Sequence, residues 1–208
     1  MKDLFEDKAA GWDAQPLPVQ ISQGVYTALT SAVALSPTLT VMDFGAGTGL
    51  VGAKIAPHVG RILAVDLSQA MLDQLAKKEE LQGKVELFCQ NILETPLARR
   101  VDLVVSAMAM HHVKDTRALL GALYDHLTPG GKVALADLDR EDGDFHPPGT
   151  EAVYHAGFDR EALAAMLTEV GFSDPTFVTA CEVAKEGKSY PIFLVAATKP
   201  LGSAETPS

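Results

Sequence analysis

The amino-acid sequence predicts a doubly wound α/β fold: a mostly parallel seven-stranded sheet ending in an antiparallel hairpin, with helices on both faces. Three observations predict it. From residue 39 onward, short apolar runs alternate with helical segments, the pattern of a parallel sheet covered on both sides. The first run passes at once into a glycine-rich turn. The last two runs have no helix between them, so they pair antiparallel through Glu186-Gly187-Lys188.

Each element is justified in turn. Residues 1–38 precede the first strand and are expected to form a helical segment over the ligand-binding edge. Leu39 to Phe44 reads as a short buried strand, and Leu50 to Pro57 as a helix. Arg61 to Val65 is a second strand ending at Asp66. Ser68 caps the next helix, whose Met71, Leu72 and Leu75 share one face. Val85 to Phe88 and Val101 to Ser106 are the third and fourth strands. Thr116 to Leu127 is helical, with Leu119, Leu120, Leu123 and Leu127 at core spacing. Pro129-Gly130-Gly131 turns into a fifth strand, Lys132 to Leu138. Asp159 caps a helix that Gly171 ends. Two late strands fall near Thr176 to Val183 and Pro191 to Thr198. The main domain spans 39–199, and the small, polar tail 200–208 is expected to fray. Asp139 to Thr150, rich in acids, Gly and Pro, is linker-like.

Composition narrows the function. The chain has 208 residues, 47% hydrophobic and 21% charged, enough to bury a sizeable core and too apolar for general disorder. No apolar run reaches the roughly 18–20 residues that span a bilayer, so no membrane partner is expected. The charged start, Met1 to Lys8, lacks the apolar core of a signal peptide. Cys89 and Cys181 make neither a disulfide framework nor a Cys-based zinc site, and a cytoplasmic location is the expectation. Net charge is −10, and the basic pairs Lys77-Lys78 and Arg99-Arg100 stand isolated. Nucleic acid, which needs clustered Lys and Arg, is therefore not the expected partner. No feature addresses oligomeric state.

The informative segment is Val41-Met42-Asp43-Phe44-Gly45-Ala46-Gly47-Thr48-Gly49-Leu50. Glycines permit positive φ and close backbone approach to a ligand, and a following helix start offers free N–H groups. A dinucleotide fingerprint reads G-x-G-x-x-G. Here the third glycine falls one position early, at Gly49, and Leu50 follows. Asp43 stands two residues before the first glycine. Asp66 closes the second strand, where a carboxylate can accept hydrogen bonds from both hydroxyls of a ribose. The ligand then belongs at the carboxyl ends of the early strands.

On these residues the chain resembles the class I S-adenosylmethionine-dependent methyltransferases, in their small-molecule branch. The resemblance covers roughly residues 5–198. It is carried by Asp43 to Gly49 and by Val65-Asp66-Leu67-Ser68-Gln69-Ala70-Met71-Leu72. Asp102 to Ser106, His111-His112-Val113 and Leu127 to Gly131 support it. Ala9-Ala10-Gly11-Trp12-Asp13 is similar to the family's Ala-x-x-Tyr-Asp segment, with Trp for Tyr. The resemblance implies S-adenosylmethionine as cofactor and 39–199 as the domain that binds it. Gly45, Gly47 and nearby backbone would cradle the methionine part, and Asp43 would hold its ammonium, directly or through water. Asp66 would bind the ribose hydroxyls, with Leu67 beside it, and Met71 would pack on the adenine while also serving the core. Asn91-Ile92 stands where the family usually has Asp and an apolar residue. An Asp there accepts from the adenine amino group, and Asn91 can accept through its amide oxygen. Ser106 would lie under the methionine part. Trp12 has two readings, cofactor contact or an apolar anchor for an N-terminal helix.

Methyl transfer from a sulfonium is a direct displacement, so the protein mainly aligns the reactants and excludes water. The run Ser106-Ala107-Met108-Ala109 lacks the Asn/Asp-Pro-Pro-Tyr pattern that nucleic-acid amino methyltransferases share. Two cysteines at these positions fit neither cytosine C5 nor arsenic chemistry. A small-molecule acceptor is the remaining expectation. His112, His146 and His155 are expected to line its pocket at the carboxyl-end rim, as bases or orienting groups. A histidine there can equally close only a loop hydrogen bond, and the acid-rich loop can be a solvated connection. His112, Asp139, His146 and His155 also suit zinc or iron. No ligand spacing marks such a site, and no metal is assigned. Two other functions stay open: a non-catalytic S-adenosylmethionine-binding module, and a nicotinamide-dependent oxidoreductase, against which the short glycine spacing and Leu50 argue.

Overall fold

The computed structural model describes residues 3–202. Its seven strands are β1 (Thr40–Phe44), β2 (Arg61–Asp66), β3 (Val85–Cys89), β4 (Val101–Ala107), β5 (Leu127–Leu138), β6 (Ser173–Lys185) and β7 (Lys188–Thr198). They form one sheet in the order β3-β2-β1-β4-β5-β7-β6. β1 to β5 run parallel, and β7 is antiparallel to both β5 and β6. The strand order reverses between β1 and β4, which opens a crevice at their carboxyl ends. The helices are α1 (Glu6–Ala9), α2 (Pro16–Ala32), α3 (Leu50–Ile55), α4 (Gln69–Leu75), α5 (Thr116–His126) and α6 (Arg160–Val170). Among the described residues no helix is long and apolar enough to cross a membrane.

Strand alternation sorts the core into two layers. Val41, Ile62, Ala64, Leu103 and Val105 face one side, against Val25 and Leu29 of α2 and Val51 and Ile55 of α3. Met42, Leu63, Val65, Val104 and Leu135 face the other, against Leu119, Leu120 and Leu123 of α5 and Leu163 and Leu167 of α6. The same alternation sets the polar residues. Asp43 falls on the α3 side, while Ser106 and Asp137 fall on the α5 side.

The caps expected at Ser68 and Asp159 form, and Asp115 caps α5 as well. The Ser68 hydroxyl accepts from the Met71 N–H, and the Asp115 and Asp159 carboxylates accept from Ala118 and Ala162. Gly171 ends α6 in the left-handed region at φ 117°. The hairpin turns on Glu186 and Gly187, both at positive φ (52° and 79°), the two-residue turn whose twist suits a hairpin. β5 differs from expectation. It begins at Leu127, five residues before Lys132, and its register against β4 breaks between Val101 and Leu103. Pro129 has no N–H to give the ladder, so the Pro-Gly-Gly turn bulges inside the strand instead of preceding it.

The N-terminal segment divides in two. Residues 3–15 contact the carboxyl edge of the sheet through Asp3, Phe5 and Asp13. Helix α2 instead runs beside α3 and against β6. Most of the expected frayed tail, residues 203–208, lies outside the described residues.

Candidate active site

The glycine loop is tied to the end of β2. The Gly45 and Ala46 N–H groups both donate to the Val65 carbonyl (2.9 and 3.1 Å). Gly47 N–H donates to Asp66 Oδ2 (2.7 Å), and Ser68 N–H donates to Asp66 Oδ1 (2.8 Å). Each Asp66 oxygen keeps a second lone pair for a ligand. Burial raises the Asp66 carboxyl above its ordinary value, while the Ser68 and Gly47 N–H groups pull it down. Two glycines are required for different reasons. At Gly45 (φ 67°) a Cβ would stand 2.3 Å from Ala109 Cβ, so only glycine lets the segment after β4 approach. At Gly47 (φ 53°) a Cβ would meet nothing within 4 Å, so this backbone faces open space.

Two buried polar atoms near the crevice have no hydrogen-bond partner among the described residues: Asp43 Oδ2 and Ser106 Oγ. They flank the β1–β4 boundary on opposite faces. Asp43 is 3% exposed. Burial first, then the Asp66 charge, push it up to about 7. Its Oδ2 would stand 3.0 Å from a Cβ at Gly52, so α3 carries glycine there. Orphaned buried polar atoms cost free energy unless a partner arrives. These two, the open Gly47 backbone and the spare Asp66 lone pairs fit an aminoacyl nucleoside such as S-adenosylmethionine.

The remaining cofactor candidates stand around this loop. Met71 and Ile92 are buried, while Leu67 is 56% exposed on the rim after β2. Asn91 uses its amide locally: Oδ1 accepts from Leu93 N–H (3.1 Å) and Nδ2 donates to Glu94 (2.9 Å). One lone pair on Oδ1 stays free. Trp12 is half-buried and meets the Phe5 ring edge-on (centroids 5.9 Å). Phe5 in turn meets His112 edge-on (5.9 Å). The N-terminal segment is further pinned by Asp13, which accepts from the Thr48 hydroxyl and pairs with Lys78. Asp3 accepts from the Ser68 hydroxyl (2.8 Å). Cys89 is exposed, and burial of its sulfur and nearby Asp66 and Asp3 raise its thiol, so it is no ready nucleophile.

A second cluster is built by β4, β5 and the loop after β5. Beyond β4 the chain turns at Met108, whose φ is 57°, into the short turn Met110–His112. The His111 ring is 1% exposed, and its Nδ1 lies 2.7 Å from Asp137 Oδ1. Asp137 also accepts from the N–H groups of His111 (3.2 Å) and Leu138 (2.8 Å). His112 Nδ1 donates to the Ala152 carbonyl (2.8 Å), and His146 Nε2 lies 3.1 Å from His111 Nε2. Burial first, then His111, hold His112 below its ordinary value. The same causes, with His112 added, hold His146 down to about 4. Both rings are therefore neutral at pH 7.

The loop that carries His146 is anchored. Glu141 accepts from the N–H groups of Gly143, Asp144 and Phe145. Asp144 binds Lys188 and Tyr190, and Lys185 donates to the Phe145 carbonyl. The acid-rich stretch is thus a built loop rather than a solvated connection.

The structure brings His112 and His146 together and leaves His155 apart. His155 Nε2 donates to the Val113 carbonyl (2.9 Å) and lies 3.2 Å from the Thr116 hydroxyl, where it braces the start of α5. Asp139 is held by Arg160 through two hydrogen bonds (2.7 and 2.6 Å). The four-residue metal set weighed from the sequence therefore does not converge. The residue that sequence reasoning passed over is His111. Register supplies the clue: Ala107 pairs with Ala136, so the residues after β4 meet Asp137.

Comparison with known proteins agrees with this geometry. A methyltransferase-domain family model matches residues 41–131. An uncharacterized methyltransferase of Schizosaccharomyces pombe is 28% identical over 153 residues, 65% of this chain and 54% of that protein. An uncharacterized methyltransferase of Mycobacterium tuberculosis is 33% identical over 111 residues, 53% of this chain and 56% of that protein. The chain thus spans about half the length of the curated relatives it matches. The N-methyltransferase NodS from Bradyrhizobium japonicum WM9, in complex with S-adenosyl-L-homocysteine, shares the fold with a TM-score of 0.71. Its identity is 19%, over 95% of each chain. None of these three is a nicotinamide oxidoreductase. The segment that carries the glycine loop and Asp66, residues 41–131, thus matches the methyltransferase-domain family, and the chain is similar to class I S-adenosylmethionine-dependent methyltransferases.

Proposed function

We propose that this chain is an active methyltransferase that moves a methyl group from S-adenosylmethionine to a small-molecule acceptor. The observation that carries the reading is the Asp66 carboxylate, held by Gly47 and Ser68 N–H groups with lone pairs to spare. When bound, the cofactor supplies a methyl group already activated on a sulfonium. The chain's own residues then bind, orient and exclude water. Asp66 takes the ribose hydroxyls, with Leu67, Met71, Asn91 and Ile92 around the adenine. Gly45, Gly47, Asp43 and Ser106 take the methionine part. His112 and His146 face the acceptor and orient it. His155 serves by bracing the turn that carries His112. Residues 3–15 act as the cover of this edge, with Phe5 and Trp12 closing over it.

The small acceptor is favoured by the net charge of −10 and by the closeness of the N-terminal segment to the site. A reducing compartment such as the cytoplasm suits the two free thiols, Cys89 and Cys181. The test is incubation with S-adenosylmethionine and a panel of small hydroxyl, thiol and amine compounds, with S-adenosylhomocysteine read by mass spectrometry. Production that depends on an added acceptor is expected. Binding of the cofactor with no turnover on any acceptor would leave the chain as a binding module and overturn the enzymatic reading.

A further inference from the structure

We propose that His111, His112 and His146 form a three-nitrogen site for one divalent transition-metal ion, zinc foremost, beside the glycine loop. The ligand nitrogens of the three rings lie within 4.8 Å of one another. His111 Nε2 and His146 Nε2 are 3.1 Å apart. Two imidazole nitrogens on one zinc at about 2.0–2.1 Å stand about 2.9–3.4 Å apart for angles between octahedral and tetrahedral. The observed spacing falls in that window.

Hydrogen bonds behind the rings select the right tautomers. The Ala152 carbonyl can only accept, so His112 carries its proton on Nδ1 and, as a neutral ring, its lone pair on Nε2. Asp137, buried and already accepting from two backbone N–H groups, accepts the hydrogen bond of His111 Nδ1–H and leaves Nε2 bare. A carboxylate behind a histidine is the usual outer support of a metal ligand. His111 and His146 then turn bare nitrogens toward each other unless a proton or a cation lies between them. A proton serves only that pair, whereas a metal ion serves all three.

The loop is also anchored by contacts within the protein. Glu141 and Lys185 fix the backbone around Phe145, so His146 arrives positioned. Three imidazoles with no carboxylate or thiolate among them favour zinc, iron, nickel or copper over magnesium and calcium. Three protein ligands leave a position open. That position suits an oxygen, nitrogen or sulfur of the acceptor. This last role rests on the methyl-transfer reading, whereas metal binding does not.

The test uses untagged full-length protein, stripped with a chelator. Zinc is titrated in competition with a chromophoric chelator, and cobalt is titrated while visible absorption is followed. One zinc per chain at micromolar affinity or tighter is expected, with cobalt bands of a low-coordinate site. His146→Ala and His112→Phe should each weaken zinc binding at least about 100-fold with unchanged circular dichroism, and His58→Ala should change nothing. No binding of zinc or cobalt by the wild-type chain overturns the proposal. So does undiminished binding in both histidine variants. S-adenosylhomocysteine titrated into the same samples separates the two readings. Zinc without nucleoside binding sinks the cofactor reading alone, and nucleoside without zinc sinks the metal site alone.

Discussion

The carboxyl edge of the sheet holds two polar regions that are made differently. On the β1–β2 side the site is backbone. Gly45, Ala46 and Gly47 turn their N–H groups to Val65 and Asp66, all within two strand ends. On the β4–β5 side the site is side chain. His111 meets a partner 26 residues away in Asp137, and His146 comes from 35 residues away. A backbone site needs particular residues at fixed short spacing. A side-chain site needs only that the fold deliver them.

That difference decides how much was legible in sequence. The strands were legible because alternation and apolar runs are local, and so were the caps at Ser68 and Asp159. The glycine loop and Asp66 were legible for the same reason. The histidine cluster was legible only in part: His112 and His146 were expected together, His111 was not among them. His111 and His112 are adjacent and look equivalent, and only strand register tells which one meets Asp137. His155 looked like a pocket residue because nothing local reveals that its nitrogen is used by Val113. Glu141 looked like a solvated acid, yet three backbone N–H groups converge on it.

Four substitutions break or sharpen this contrast. The largest effect belongs to the side-chain region. His111→Leu takes the ring donor from the buried Asp137 carboxyl and should cost about 3 kcal/mol or more, read as a drop in the urea midpoint. The joint between the regions comes next. Gly45→Ala places a methyl group on Ala109 at positive φ, and should cost about 2–4 kcal/mol in the same unfolding experiment. It should also weaken S-adenosylhomocysteine binding, since both regions must shift.

Within the backbone region, Asp66→Ala removes the acceptor for two ribose hydroxyls. A loss of about 1–3 kcal/mol in calorimetric affinity is expected, with the histidine cluster's spectroscopic properties unchanged. The smallest effect is a change of slope. Asp43 sits at about 7 in the folded chain against 3.8 as an ordinary carboxyl. The folded state therefore binds the extra proton, and stability falls as pH rises from about 4 to about 7. Asp43→Asn should flatten that fall in urea midpoints compared at about pH 5 and about pH 8. If Asp43 takes the ligand's ammonium, binding near neutral pH releases a proton from the wild-type chain and none from the variant. Calorimetry in buffers of different ionisation enthalpy reads that proton.

The most direct test of the central claim is a calorimetric titration of S-adenosylhomocysteine into protein stripped of small molecules, with NADH as the control ligand. The glycine loop and Asp66 predict one site per chain of about micromolar affinity for the sulfur nucleoside and no heat from NADH. Absence of binding, or tighter binding of NADH, would contradict the account and leave the spare lone pairs of Asp66 unexplained.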